Sequence, residues 1–264
     1  MSSPPVALTV AGTDSGGAAG IAADLTTFAA LGAHGACVVT AVTAQDTTGV
    51  HGVQVVPAEM VARQLRAVLD DLPVAVVKTG MLGTAEVVRL VASRLAGLPL
   101  VVDPVLVATS GAVLGDDGVA AAYLRYLFPV AAVVTPNADE ARSLLGSHQP
   151  PDRLAEALAR IGPTAVVTGG GADGSCTDWV AAPGERAVAL RHPAVATDND
   201  HGSGCTFSAA LAVHLARGAS PLDAATAAAT FTVQQLRTAS GWRLGRGRGP
   251  IAHTPPVGQS IGAS

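Results

Sequence analysis

The densest chemistry in the chain lies in Asp198-Asn-Asp-His-Gly-Ser-Gly-Cys205-Thr-Phe-Ser-Ala-Ala. A glycine-bearing loop there runs into an alanine-rich helical stretch, so the backbone N–H groups of Gly202, Ser203, Gly204 and Cys205 surround the positive end of a helix. Such a nest stabilises negative charge on a transferring phosphoryl group or an oxyanion. Cys205, at a helix start, is expected to have a lowered thiol pKa and to serve as base or nucleophile. The competing reading is a small buried cysteine that packs a helix terminus.

Other segments hold groups able to act with it. Gly12-Thr-Asp-Ser-Gly-Gly-Ala-Ala-Gly20 joins an apolar run to a helical pattern, and its glycines let the backbone approach a ligand closely. It is neither a Walker A loop nor a Gly-x-Gly-x-x-Gly fingerprint, so a plain strand-to-helix turn competes with the functional reading. On the following helix Ile21, Leu25, Phe28 and Leu31 form an apolar stripe, leaving Asp24 at its edge as a first-turn acid or a ligand contact. In Val42-Thr-Ala-Gln-Asp-Thr-Thr-Gly49 the Gln45 amide both donates and accepts, which suits the edge of a heteroaromatic ring or a self-satisfied polar loop. Asp103, in Val101-Val-Asp-Pro-Val105, and Glu140, in Thr135-Pro-Asn-Ala-Asp-Glu140, follow apolar runs, where carboxylates can hold Mg²⁺ against nucleotide phosphates. Taken singly, each reads as a cap or a solvated charge. Lys78 is the single lysine among sixteen basic residues, so any chemistry requiring an amine has one candidate. The histidines His34, His51 and His192 show no ligand spacing and are assigned no role.

These segments sit where short apolar, β-branched runs end. Such runs recur at 6–11, 36–42, 74–77, 100–102, 131–134 and 164–168, and most lead through a turn into helical patterns. The helical patterns cover 20–31, 58–70, 84–95, 118–127, 138–145, 152–161, 203–217 and 221–239, with Thr84, Asp152 and Ser220 placed as caps. Runs that are apolar throughout, such as Val74-Ala-Val-Val77, suit strands covered on both faces. The expectation is an α/β fold, a mostly parallel central sheet flanked by helices, with the polar motifs converging at the carboxyl ends of the strands. Nothing divides the chain, so residues 1–250 read as one domain and 251–264 as a tail, with the Gly- and Pro-rich 245–250 able to close over a ligand.

Composition narrows the function classes. With 264 residues, 49% hydrophobic and 14% charged, the chain has the apolar content of a globular core rather than of a disordered segment. A formal net charge of −4 and 3% aromatics give no footprint for nucleic acid. No run approaches the roughly 18 apolar residues of a membrane span, and Met1-Ser-Ser-Pro-Pro has no basic leader region, so a soluble cytoplasmic protein is expected. Cys37, Cys176 and Cys205 lack metal-ligand spacing and are odd in number, which implies reduced thiols and neither a disulfide framework nor a zinc site.

In order, Ala11-Gly-Thr-Asp-Ser-Gly-Gly, Ala-Gly-Ile-x-Ala-Asp24-Leu, Thr-Ala-x-Thr-Ala-Gln45, Lys78-Thr-Gly-Met-Leu82, Asp103-Pro-Val, Thr135-Pro-Asn-x-x-Glu140-Ala and His201-Gly-Ser-Gly-Cys205-Thr-Phe-Ser-Ala-Ala resemble the hydroxymethylpyrimidine and hydroxymethylpyrimidine phosphate kinases of thiamine biosynthesis, in the ribokinase superfamily. The resemblance runs from about Val6 to Pro250. It implies a ribokinase-like fold, a homodimer, and a pyrimidine pocket lined by Gly12, Asp24, Gln45, Met81 and Val105, with Asp24 and Gln45 reading the polar ring edge. It further implies ATP across the helix that starts at Ser203, with Asn137, Thr168 and Gly170 at the nucleotide and Asp103 and Glu140 near Mg²⁺. Gly202 to Cys205 would form the anion hole, with Cys205 in the place of the base. Most members carry Lys-Gly-Gly-His where this chain reads Thr168-Gly-Gly-Gly171, so a phosphate-side cation is missing and an arginine or Lys78 is left to replace it. Asp200 adds a negative charge beside the expected phosphates, and Ser203 and Ala22 stand for a usual Thr and Gln. A pyridoxal or pyridoxine kinase is the near alternative, and a binding protein that has lost transfer is a second. A dinucleotide dehydrogenase lacks its fingerprint.

Overall fold

The computed structural model describes residues 3–106, 115–169, 171–172 and 174–253. Its strands are β1 (Val6–Gly12), β2 (His34–Asp46), β3 (Gly49–Val55), β4 (Val74–Thr79), β5 (Leu100–Val102), β6 (Val133–Val134), β7 (Thr164–Val167), β8 (Gly171–Ala172), β9 (Ser175–Ala181) and β10 (Val188–Pro193). They form one sheet in the order β10-β9-β7-β6-β5-β4-β1-β2-β3, with β8 on β9. The six strands from β7 to β2 in that order are parallel, whereas β3 and the β9–β10 pair run antiparallel at the two edges. β1 pairs with β2 on one side and β4 on the other. The strand order thus reverses at β1, later strands being added on its other side, and an open α/β sheet binds ligands at such a switch point.

Helices cover both faces, which explains why the central strands read as apolar throughout. On one face lie α2 (Ala58–Leu69), α3 (Ala85–Leu95), α4 (Asp117–Ala122), α5 (Ala138–Leu145) and α6 (Pro151–Ala159), which bury Leu65, Val91, Val119, Leu144 and Leu154 against Leu8, Val77 and Val102. On the other lie α1 (Gly20–Ala30), α7 (Ser203–Ala216) and α8 (Pro221–Ala239), joined through Phe28, Phe207, Leu211 and Ala228. Residues Thr206 to Val213 of α7 are all buried. An alanine-rich helix is slim enough to run between sheet and α8 with no solvated face.

Thr84 and Ser220 cap α3 and α8 through their hydroxyl groups. Asp152 does not cap α6: Pro150 occupies that position and Asp152 stands in the first turn. The helix expected over 118–127 is α-helical only to Ala122 and then widens into a π-helical turn, Tyr123–Leu127. The polar stretch after residue 42 is not a loop, because β2 continues to Asp46 and folds back as β3. The fold also runs past residue 250, since Ile251 and Ala252 are buried and His253 Nε2 lies 2.8 Å from Thr206 Oγ1.

Candidate active site

One cavity of about 1090 Å³ opens at the carboxyl ends of the strands, above the reversal at β1. Gly12 after β1, Gln45 at the end of β2, Met81 after β4, and Asp103 and Val105 after β5 line it together with Asn137, Glu140, Thr168 and the stretch from Gly202 to Cys205. Gly12 packs close to the methionine: a Cβ there would lie 3.2 Å from Met81 Sδ, a tight contact that Met81 would have to yield to. Of the residues expected at the site, Gly170 lies outside the described residues.

The start of α7 faces this space. Its N-cap Gly202 has φ +87°, and a Cβ there would lie 1.8 Å from Ala18 O, so only glycine lets α7 cross the first loop. No side chain caps the helix. Ser203 N–H turns back to Asp200 O at 3.0 Å, which leaves the N–H groups of Gly204 and Cys205 as the orphan donors of this helix end.

Beneath the cavity is a charged floor. Lys78, fully buried, donates to both Asp24 oxygens at 2.8 and 3.1 Å and lies 3.6 Å from Asp103 Oδ2. Thr9 Oγ1 donates to Asp24 at 2.6 Å and Ser208 Oγ donates to Asp103 at 3.1 Å. Burial disfavours the ammonium, but the carboxylates around it more than offset this and hold Lys78 protonated. Two expectations are corrected. Asp24 does not face the cavity, because its carboxylate is fully buried against Lys78 and Thr9. Lys78 is sealed in the same cluster and is no phosphate-side cation.

Cys205 also departs from its expected state. Burial pushes its thiol up, Lys78 pulls it down, and the Asp103 and Asp24 carboxylates push it up again, to about 12. Proximity to a helix start is outweighed by desolvation and by two neighbouring anions.

Asn137 and Glu140 owe their spacing to folding as well as to the cavity. Asn137 Oδ1 accepts from the N–H groups of Asp139 and Glu140, and Glu140 Oε2 accepts from Asn137 N–H, each at 2.9 Å, which is a reciprocal capping box at the start of α5. Burial and the Asp103 carboxylate raise the Glu140 carboxyl to about 8. Two mutually repelling carboxylates at a cavity wall fit a hard divalent cation, whose charge would relieve both.

The first and last loops are tied by groups that sequence spacing did not single out. Asp14 accepts from the N–H groups of Gly16, Ala18 and Ala19 at 2.8, 3.1 and 2.9 Å, and His201 Nε2 lies 3.2 Å from it. Burial pushes the Asp14 carboxyl up, but these bonds outweigh it and set it below the ordinary value. A carboxylate only accepts, so His201 Nε2 carries the hydrogen. Gln45 Nε2 stands 3.0 Å from the same Nε2; two donors cannot bond, so the consistent assignment flips the Gln45 amide, its oxygen accepting from His201 and its NH₂ turned to the cavity. Arg248, in the Gly- and Pro-rich segment, forms a two-pronged pair with Asp200, so the extra acid is neutralised within the protein. The missed signal was loop-to-loop pairing across nearly the whole chain. His192, given no role from sequence, lines the opposite wall with Cys176 and Asp178.

A sequence profile described as phosphomethylpyrimidine kinase matches residues 14–252. A hydroxymethylpyrimidine/phosphomethylpyrimidine kinase of Synechococcus elongatus is 44% identical over 262 residues, covering 96% of this chain and 98% of that protein. Among solved structures, the ADP complex of Staphylococcus aureus pyridoxal kinase superposes with a TM-score of 0.87 at 32% identity, covering 96% of this chain and 94% of that one. A phosphomethylpyrimidine kinase of Clostridium difficile superposes at 0.75 and 32% identity, covering 87% and 98%. With a family profile spanning nearly the whole described chain, and a ribokinase-like sheet carrying the ordered motifs around one cavity, the chain belongs to the phosphomethylpyrimidine kinase family of phosphotransferases.

Proposed function

We propose that the chain transfers the γ-phosphoryl group of ATP to the hydroxymethyl oxygen of 4-amino-5-hydroxymethyl-2-methylpyrimidine, and then a second phosphoryl group to the monophosphate, in thiamine biosynthesis. The observation that carries this reading is the shared cavity: Gly12, Gln45, Met81 and Val105 stand across one space from an uncapped helix start and the Asp103–Glu140 pair. The small, partly apolar side suits a methylated ring, and the Gln45 NH₂ suits its nitrogen edge. The orphan N–H groups of Gly204 and Cys205 suit the charge of a transferring phosphoryl group. Asp103 and Glu140 would hold Mg²⁺, which neutralises phosphate charge when bound.

Transfer of this kind is mostly positioning and charge stabilisation. With the thiol raised to about 12, the proton acceptor is the minor Cys205 thiolate, a strong base that takes the substrate hydroxyl proton as the attacking oxygen bonds to phosphorus. The three free cysteines suit a reducing compartment, and we assign the protein to the cytoplasm. We also propose a homodimer through the β2–β3 hairpin, the antiparallel edge of the sheet, where Val53 and, on the opposite face, Val42 are exposed.

A second reading, pyridoxal kinase, is favoured by the likeness to the Staphylococcus aureus enzyme. ADP release measured with the pyrimidine, its monophosphate and pyridoxal decides between them. The expected order of kcat/KM has both pyrimidines above pyridoxal. A preference for pyridoxal, or saturable pyrimidine binding without turnover, overturns the proposal.

A further inference from the structure

The wall formed by β9 and β10 carries a cluster that the kinase chemistry leaves unused. Cys176 and His192 are directly paired across the two antiparallel strands, and Asp178 lies two residues beyond Cys176 on the same face of β9. Their donor atoms lie within 4.8 Å of one another, and all three residues line the cavity. Cys176 and Asp178 are buried, and the His192 side chain is 19% exposed.

Groups around the cluster aim these donors. Asp178 Oδ1 accepts from Gly169 N–H at 2.9 Å, which leaves Oδ2 facing His192 Nε2 at 3.1 Å. His192 Nδ1 lies 3.3 Å from Pro193 O. A carbonyl only accepts, so Nδ1 carries the hydrogen and Nε2 is the nitrogen presented to the cluster. This is how metal-ligating histidines are usually held, with the second ring nitrogen fixed by an outer acceptor. Cys176 Sγ, now donating to Gly169 O at 3.0 Å, completes the set.

We infer that Cys176, Asp178 and His192 form a binding site for a borderline-soft divalent cation such as Zn²⁺, with a fourth coordination position open to the cavity. A thiolate, an imidazole and one carboxylate oxygen disfavour Mg²⁺, which takes oxygen donors. Bonds of about 2.0 Å to nitrogen and oxygen and about 2.3 Å to sulfur require only a small closure of the donors. On binding, the Cys176 S–H bond is exchanged for a sulfur–metal bond and the proton goes to solvent. Nε2 likewise releases the hydrogen it shares with Asp178 to solvent, so two protons leave in all, and donates its lone pair, and Oδ2 adds directly. No electrons are transferred. The fourth position takes water or an anionic oxygen from a molecule in the cavity.

The test uses the full chain, stripped with a chelator and titrated with Co²⁺ as a spectroscopic probe. One equivalent is expected to give a near-ultraviolet thiolate-to-cobalt band with visible bands of tetrahedral strength, and Zn²⁺ is expected to abolish both. Cys176→Ala removes the thiolate band, and His192→Ala weakens cobalt binding by about 100-fold or more. Cys37→Ala and Cys205→Ala leave the band in place. Absence of the band in the unmutated protein overturns the site, whatever the variants do. So does a band that survives Cys176→Ala or disappears with Cys205→Ala; a plain Asp178–His192 ion pair gives no band at all.

Discussion

At Cys205 the sequence and its surroundings pull in opposite directions. The helix start and Lys78 favour a thiolate, while burial and two carboxylates favour the thiol, and the second set prevails. If Cys205 accepts the substrate proton, its active fraction rises tenfold per pH unit below about 12, so kcat is expected to climb from pH 6 to pH 9 with no plateau. Cys205→Ala is expected to lower kcat by roughly 100-fold or more and to flatten this profile; a flat profile in the unmutated protein removes Cys205 as the base. Gln45 acts on binding instead. Gln45→Ala is expected to raise KM for the pyrimidine by about tenfold or more with little change in kcat, because an unpaired ring edge weakens ground and transition states alike. Steady-state kinetics at saturating ATP check this. Both residues were legible as types at loop ends. Their states were not, since desolvation depends on what lies beneath them.

Among the elements, α7 depends most on one residue. Gly202→Ala puts a non-glycine residue at φ +87° and a methyl group into Ala18 O. A left-handed residue alone costs about 1–2 kcal/mol, so the midpoint of thermal unfolding is expected to fall by about 5 °C or more, and an unchanged melting curve would contradict the crossing of α7 over the first loop. The alternating strands and helices were readable because each carries its own period. The antiparallel edges were less so: β3, β9 and β10 mix polar and apolar residues on half-exposed surfaces, and the pairing of Cys176 with His192 depends on register across two strands. A search for ligand spacing along the chain cannot find a cross-strand cluster.

For the molecule as a whole, convergence of motifs brings acids together at a cost. Burial, then the Asp103 carboxylate, raises Glu140 from 4.5 to about 8 in the folded state. The folded protein therefore holds this proton more tightly than the unfolded chain. The stabilisation is fully present below about pH 4.5 and is lost as pH rises through about 8. Urea unfolding of metal-free protein is expected to show stability falling by a few kcal/mol between these limits. Glu140→Gln, which keeps the capping acceptor, is expected to flatten that fall, and an equal slope in both proteins would rule Glu140 out as its source. At the outer edge, Val53→Lys is expected to convert a dimer into a 26.1 kDa monomer by light scattering. A monomeric unmutated protein would overturn the proposed interface.

By itself the sequence determined the α/β class, the place of the chemistry at strand ends, and the family, because these rest on local periodicity and on the order of motifs. Tertiary structure decided which groups meet and in what state. Asp24 and Lys78 look available in the sequence and are sealed against each other. Asp200 looks like an unbalanced charge and is held by Arg248. His192 looks idle and stands beside a buried acid and thiol. The physical reason is common to all: solvation and pairing energies are set by neighbours distant in sequence, and only the folded sheet brings those neighbours within a few ångströms.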